Sequence, residues 1–279
     1  MRELKEILKE KSFRFNKNLG QNFLTDTNLL RAIVSDSGLE EGETVVEIGT
    51  GAGTLTRALA EKAGKVISFE VDENLKPVLE ETLSGLDNVE VIFGDVLKMS
   101  DEEIAAITGG EFRLVANIPY YITTGLIMRF VESGLPVKSI TVMIQKEVAE
   151  RLVAKENTGD YGAITMSVRM RGDAVITRKV SRTMFYPAPN VDSAVVRIDI
   201  DPHKFENEDK ELCLKLVKAA FGMRRKTFNN NLSASFSISK ETAANVISEA
   251  GFAPMIRGEA FSVEDIVKIS RVLKKYLNN

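Results

Sequence analysis

Asn117-Ile118-Pro119-Tyr120 is the segment of this chain whose residue types point most directly to chemistry. It follows an apolar run, Phe112-Arg113-Leu114-Val115-Ala116, that reads as a buried strand. An Asn/Asp-Pro-Pro-Tyr-like turn at such a strand end suits the holding of a flat, conjugated amine. The Asn117 side-chain oxygen and a turn carbonyl can each accept a proton from an exocyclic NH2, and Pro119 fixes the backbone that presents them. The Tyr120 ring offers a face on which a base can stack. An ordinary strand-ending turn uses the same residue types, so the segment gains meaning from what surrounds it.

A second constellation lies upstream. Val45-Val46-Glu47-Ile48-Gly49-Thr50-Gly51-Ala52-Gly53-Thr54-Leu55 reads as a strand entering a glycine-rich turn and then a helix. The dinucleotide fingerprint wants its third glycine one residue later. With that spacing absent and acidic Glu47 before the turn, a pyrophosphate is a poor guest. A cationic donor suits the site better, and S-adenosylmethionine carries a sulfonium and an amino group that carboxylates favour. Glu70 closes the run Val66-Ile67-Ser68-Phe69-Glu70, where an acid can accept both ribose hydroxyls. Asp95 follows Phe93-Gly94, where a carboxylate can accept from an adenine amine. Each acid alone is commonly a helix cap or a solvated charge; three at successive strand ends share one crevice. Near the N-terminus Gln21 and Asn22 supply amides within reach of the donor's methionine end, and Asp26 suits an N-cap.

These groups need a sheet to bring them together. Short β-rich runs at Thr44–Ile48, Lys65–Glu70, Val89–Phe93, Phe112–Ala116 and Ser139–Gln145 are expected as strands, with helices near Leu55–Lys62, Asn74–Leu83, Asp101–Ile107 and Thr123–Val131. That alternation implies parallel pairing through right-handed crossovers. Ile164–Arg171 and Ala194–Ile200 are expected to add an antiparallel edge. After Asp201-Pro202-His203 only helical patterns follow: Asp209–Phe221, Asn229–Phe236, Lys240–Glu249 and Val263–Leu277. The expectation is an α/β, Rossmann-like, mostly parallel sheet in a methyltransferase domain over residues 1–202. A small all-helical domain follows over 203–279.

Composition narrows the function. One cysteine, Cys213, forbids an internal disulfide, and with His203 as the only histidine a Cys/His zinc site is excluded; no metal is expected. His203 lies in a polar linker, away from any nucleophile it would have to activate. No run of about 18 apolar residues is present, and the charged N-terminus has no secretory apolar region, so a cytoplasmic protein without a membrane span is expected. Net charge is −3, but it is unevenly spread. Residues 40–111 carry 17 acidic and 5 basic side chains, residues 1–20 carry 6 basic and 3 acidic, and residues 212–228 carry five basic and none acidic. Such asymmetry suggests a face for a polyanion, with Lys215, Lys218, Arg224, Arg225 and Lys226 as its phosphate contacts.

Taken together, Lys17–Leu24, the Glu47–Gly53 turn, Asn117–Tyr120, Phe185-Tyr186-Pro187-Ala188-Pro189-Asn190-Val191-Asp192-Ser193 and Arg224-Arg225-Lys226-Thr227 resemble the KsgA-type ribosomal RNA adenine dimethyltransferases. The resemblance spans almost the whole chain, and Arg257-Gly258-Glu259 points to the small-subunit branch. It implies that Asn22 and Leu24 contact the methionine moiety above Gly49 and Gly51, that Glu70 binds the ribose and Asp95 the adenine ring. It also implies that Asn117 accepts from the target amine between Tyr120 and Phe185. The implied reaction dimethylates N6 of two adjacent adenosines in a 16S ribosomal RNA hairpin loop near the 3′ end, on a partly assembled small subunit, by a monomer. Two positions depart from the family: Ile118 stands where Leu is usual, and Phe228-Asn229 follow where Leu-Arg is common, which removes a cation. The alternatives are a large-subunit (23S) adenine-N6 methyltransferase, a ribosome-assembly binding factor, and a nicotinamide oxidoreductase, the last disfavoured by the glycine spacing.

Overall fold

The computed structural model describes residues 4–16, 19–223 and 225–277. Helix α1 (Leu4–Glu10) and the two-residue strand β1 (Phe23–Leu24) precede α2 (Thr27–Asp36). Asp26 caps α2 by accepting the Leu29 N–H at 2.7 Å, as its position suggests. Strand and helix then alternate: β2 (Thr44–Ile48), α3 (Thr54–Ala60), β3 (Lys65–Glu70), α4 (Lys76–Thr82), β4 (Val89–Phe93), α5 (Asp101–Thr108), β5 (Phe112–Asn117), α6 (Thr123–Val131) and β6 (Val137–Gln145). Local chemistry sets the boundaries. Ser100 and Glu103 form a reciprocal capping box that starts α5, and Gly109 closes it in the left-handed region.

The remaining elements are α7 (Lys146–Leu152), α8 (Ala163–Arg169), β7 (Gly172–Val180), β8 (Phe185–Tyr186), β9 (Ser193–Ile200), α9 (Lys210–Gly222), α10 (Phe228–Phe236), α11 (Lys240–Glu249) and α12 (Val263–Leu277). The main sheet has the order β4-β3-β2-β5-β6-β9-β7. Pairings from β4 through β6 are parallel, and β9 runs antiparallel to β6, which gives the expected antiparallel edge. Its central strands are buried on both faces, so they read as continuous apolar runs rather than alternating ones. The order in which strands are added reverses between β2 and β5, which pair directly and in parallel. A parallel sheet opens a crevice at such a switch point, beyond the carboxyl ends of its strands.

One expected strand is a helix. Ile164–Arg171 is rich in β-branched residues, but Met166 and Met170 are one helical turn apart and both enter an apolar cluster with Tyr161, Leu216 and Phe261. Burial of the helical face outweighs strand propensity there. The strand itself lies later, at β7, where polar and apolar residues are mixed and most are only half-buried or exposed, which leaves no continuous apolar run to mark it.

The chain forms two compact units, residues 1–149 with 174–200, and residues 150–173 with 201–279. Residues 150–173, grouped with the first domain by sequence, pack in the second unit because α8 lies against α9. The interior of the second unit is almost wholly apolar. Phe228 and Phe252 meet Phe261 edge-on at 4.8 and 5.2 Å, and the Tyr161 hydroxyl donates to the Phe261 carbonyl at 2.8 Å. Gly258 is fixed by contact: a Cβ there would lie 2.1 Å from the Ala220 carbonyl oxygen. That close approach gives the Arg257-Gly258-Glu259 segment a physical reason.

Candidate active site

The strand ends of β2, β3 and β5 wall a cavity of about 190 Å³ in the first unit. Gln21, Asn22, Gly49, Gly51, Glu70, Asp95, Asn117, Tyr120 and Phe185 all line it, so these sequence-selected residues are brought to one place. Leu24 and Glu47 do not line it. Leu24 is buried in the core beneath, and Glu47 is completely buried under the glycine turn. Arg224 lies outside the described residues. Arg225 and Lys226 are exposed on the turn before α10, in the second unit.

The glycine turn is held from two sides. Gly51 has φ +54°, and a Cβ on it would press the Phe23 ring at 3.2 Å. The Glu70 carboxylate accepts the Gly51 N–H through Oε2 at 2.8 Å and the Val71 and Asp72 N–H groups through Oε1 at 2.9 Å. Burial raises the Glu70 carboxyl above its ordinary range, against the pull of those N–H groups. Oε2 keeps lone-pair capacity toward the cavity, enough to accept a hydroxyl. Asp95 caps the turn after it, with Oδ1 accepting the Leu97 N–H at 3.1 Å. It is therefore both a cap and a cavity wall.

Glu47 differs. Burial pushes its carboxyl up to about 8, although the Thr56 and Ser68 hydroxyls donate to its Oε2 at 2.5 and 2.7 Å. Its Oε1 has no partner. Burial disfavours the charged form, so Glu47 is a poor source of negative charge for a cationic donor; its hydrogen bonds tie β2 to β3 and α3 beneath the turn.

Asn117 ends β5 beside the turn, where a Cβ on Gly49 would lie 3.7 Å from the Asn117 carbonyl oxygen. Its Nδ2 donates to the Asn22 carbonyl at 3.2 Å, which orients the amide and leaves Oδ1 as the acceptor to offer. The Pro119 carbonyl is already engaged, by the Ile122 N–H at 3.2 Å and the Thr123 hydroxyl at 3.3 Å. The Ile118 carbonyl is thus the acceptor that the turn has left to offer. The Tyr120 hydroxyl is tethered to Ser193 Oγ at 3.1 Å. Phe185 is only 7% exposed and joins the core as well as the cavity wall. It is delivered by β8, which pairs antiparallel with β1, Leu24 opposite Phe185.

Sequence reasoning missed Asp72 and the apolar lining. Asp72 is buried and accepts from Gln21 Nε2 at 2.6 Å, which fixes the N-terminal segment over β3. Its place two residues after Glu70 and two before Asn74, whose N–H it accepts at 3.1 Å, was the available signal. Val71, Val96 and Leu97, each just after a strand-end acid, give the cavity apolar walls.

The residues fit an adenosyl donor. Acceptors for a diol and an amine stand at the ends of β3 and β4, apolar walls suit a purine, and the cradle at Gly51 has no room for a side chain. Among the described residues no group of three or more His, Cys, Asp or Glu side chains is placed to hold a metal ion, and no helix is long and apolar enough to cross a membrane.

Comparison with known proteins agrees with this geometry. The model of the family described as ribosomal RNA adenine dimethylase matches residues 12–275. The protein named ribosomal RNA small subunit methyltransferase A from Clostridioides difficile is 42% identical over 96% of this chain and 94% of its own length. Its namesake from Enterococcus faecalis is 43% identical over 97% and 94%. Among solved structures, a dimethyladenosine transferase from Plasmodium falciparum shares the fold, with TM-score 0.76 at 24% identity over 91% of this chain and 98% of that one. The 23S rRNA methyltransferase ErmE has TM-score 0.68 at 27% identity over 91% of this chain and 100% of that one. With a full-length match to the family model and a strand-end cavity fitted to an adenosyl donor, this chain belongs to the ribosomal RNA adenine dimethylase family, and its methyl donor is S-adenosylmethionine.

Proposed function

We propose that the cavity places the N6 amine of an unstacked adenine between two acceptors, Asn117 Oδ1 and the Ile118 carbonyl, on N6,N6-dimethylation of small-subunit ribosomal RNA. The reaction follows from the family and from relatives of that name that cover nearly the whole chain. The observation that carries the residue-level reading is the Nδ2 bond from Asn117 to the Asn22 carbonyl, which fixes which end of the amide faces outward.

Bound S-adenosylmethionine supplies an electrophilic methyl on a sulfonium. The chain does the rest by position. The adenine amine is a poor nucleophile because its lone pair is delocalised into the ring. Two acceptors favour a pyramidal nitrogen whose lone pair is freed for in-line attack. Glu70 and Asp95 hold the adenosine half through its hydroxyls and amine, while Gln21, Asn22 and the Gly49–Gly51 turn border the methionine half. Tyr120 and Phe185 flank the target base, and the Ser193 tether keeps the Tyr120 ring in one plane. No strong general base is needed, since the methylated nitrogen gives up its proton to water once cationic. This agrees with His203, which is exposed and engaged with Glu206 at 2.7 Å. A base inside a helix cannot enter such a pocket, so the two adjacent target adenosines belong to a hairpin loop or are flipped.

The helical unit is the RNA-binding part in this reading, with Arg225 and Lys226 as exposed phosphate contacts. The chain acts as a monomer in the cytoplasm, on RNA within a partly assembled subunit. The test is incubation with labelled donor and separate undermethylated small and large subunits, followed by nucleoside mass analysis. N6,N6-dimethyladenosine in the small-subunit RNA alone is the expected product. Label in the large-subunit RNA favours the other branch of this chemistry, and no label in either removes the reading.

A further inference from the structure

A second cavity, of about 420 Å³, opens on the first unit among α1, α2, α3 and α4, and the reaction above makes no use of it. Lys5, Arg31 and Arg57 line it, against one carboxylate, Glu61. Arg57 is committed to the fold: its Nε donates to the Thr82 carbonyl at 2.8 Å and its Nη2 to the Ser84 carbonyl at 3.0 Å. Arg31 is exposed and has no ion pair or hydrogen bond among the described residues. Thr82 lines the same cavity with an Oγ1 that has no hydrogen-bond partner. The Lys5 ammonium lies 4.9 Å from the centre of the Tyr186 ring.

The position of Tyr186 links this cavity to the active site. Tyr186 directly follows Phe185 on β8, and β8 pairs with β1. Asn22, Phe23 and Phe185 of that ribbon wall the active-site cavity, while Thr25, directly after β1, walls the second one. A base that passes Phe185 leaves its ribose and phosphate outside. The strand that continues across Tyr186 then meets the Lys5 ammonium and, beyond it, an uncommitted guanidinium. An unpaired guanidinium presents a planar fork of donors suited to phosphate oxygens. Of the basic residues near the N-terminus, Lys5 is the one that lines this cavity.

We propose that this groove takes the phosphodiester backbone of the RNA strand flanking the target adenosine, with Lys5 and Arg31 as the phosphate contacts. The proposal rests on the RNA-modifying reading of the neighbouring cavity and adds a binding surface on the sheet unit to it.

The test replaces both exposed cations, Lys5→Gln with Arg31→Gln, in the full chain. A fluorescent hairpin from the 3′ end of small-subunit RNA is titrated by anisotropy over a series of salt concentrations. The expected result is an affinity about tenfold lower near 0.1 M salt and a salt slope shallower by about 1.4, the value for two single-strand phosphates. In methylation assays KM for RNA rises while kcat and the donor Kd hold. Lys138→Gln, which removes a cation from the far end of β6, leaves the slope unchanged. A wild-type slope in the double variant overturns the proposal, as does an equal loss in Lys138→Gln, which means diffuse charge rather than a groove. Either result, with the wild-type chain still methylating small subunits, leaves the proposed function standing. A wild-type chain that modifies no subunit defeats that function instead.

Discussion

The two rims of the cavity, which the proposed function reads as a donor rim and an acceptor rim, are built on opposite plans. On the donor rim the Glu70 carboxylate is already saturated on one oxygen by two backbone N–H groups and holds Gly51 with the other. That rim is a frame whose polar groups shape the backbone first and meet a ligand with what remains. On the acceptor rim Asn117 is anchored by its nitrogen only, and its oxygen is kept for presentation. The difference teaches where rate and affinity reside. A frame that binds ground state and transition state alike sets affinity, whereas a group that stabilises charge developing on the amine sets turnover.

The comparison breaks most visibly at Asn117. Asn117→Ala is expected to lower kcat by about 10²- to 10³-fold, the usual cost of one preorganised polar partner at a reacting atom. Donor affinity, measured by calorimetry, falls far less. Equal losses in both would erase the distinction between the rims. Glu70→Gln probes the other side. A single amide oxygen cannot serve three N–H donors, and the new NH2 faces one of them. Donor Kd is expected to rise about 10- to 100-fold, in line with loss of a charge-assisted hydrogen bond, with kcat at saturating donor largely retained.

The smallest effect separates the frame from its foundation. Glu47 is held at about 8 by burial, above its ordinary value of 4.5. Between those values the unfolded chain ionises this carboxyl while the folded chain keeps it protonated. Its contribution to stability therefore falls as pH rises through that interval and levels off above about 8. Glu47→Gln keeps the shape and removes the titration. Relative to wild type the variant gains thermal stability from pH 5 to pH 8.5, by a few degrees per unit of free energy recovered, about 2–4 °C for each kcal/mol in a chain of this size. Parallel melting curves across that range would mean that the carboxyl titrates normally.

Much of this arrangement was legible before any coordinates. Strands β2 to β6 were readable because strands buried on both faces must be continuously apolar, and strand-end acids and glycines then follow by position. Charge and burial were less readable. Glu47 and Glu70 look alike in sequence, yet one lies under the turn and the other faces the cavity; only the register of β2 against β3 decides this. Leu24 likewise points into the core because β1 pairs with β8, a contact spanning some 160 residues of chain. Helix α8 resembles a strand in sequence because its β-branched residues are buried on nearly every side, which hides the period, and β7 carries no continuous apolar run because an edge strand is open to solvent.

The excursion of residues 150–173 into the helical unit has a consequence for how the protein is born. Tyr161, Met166 and Met170 leave the ribosome long before α12, which completes the cluster that covers them. At about 5–20 residues per second, roughly a hundred residues of synthesis correspond to about 5–20 s during which these side chains are greasy and uncovered. A nascent chain stalled or clipped after the last sheet strand therefore displays a sticky helical insert, and becomes a client for chaperones rather than a working half-enzyme.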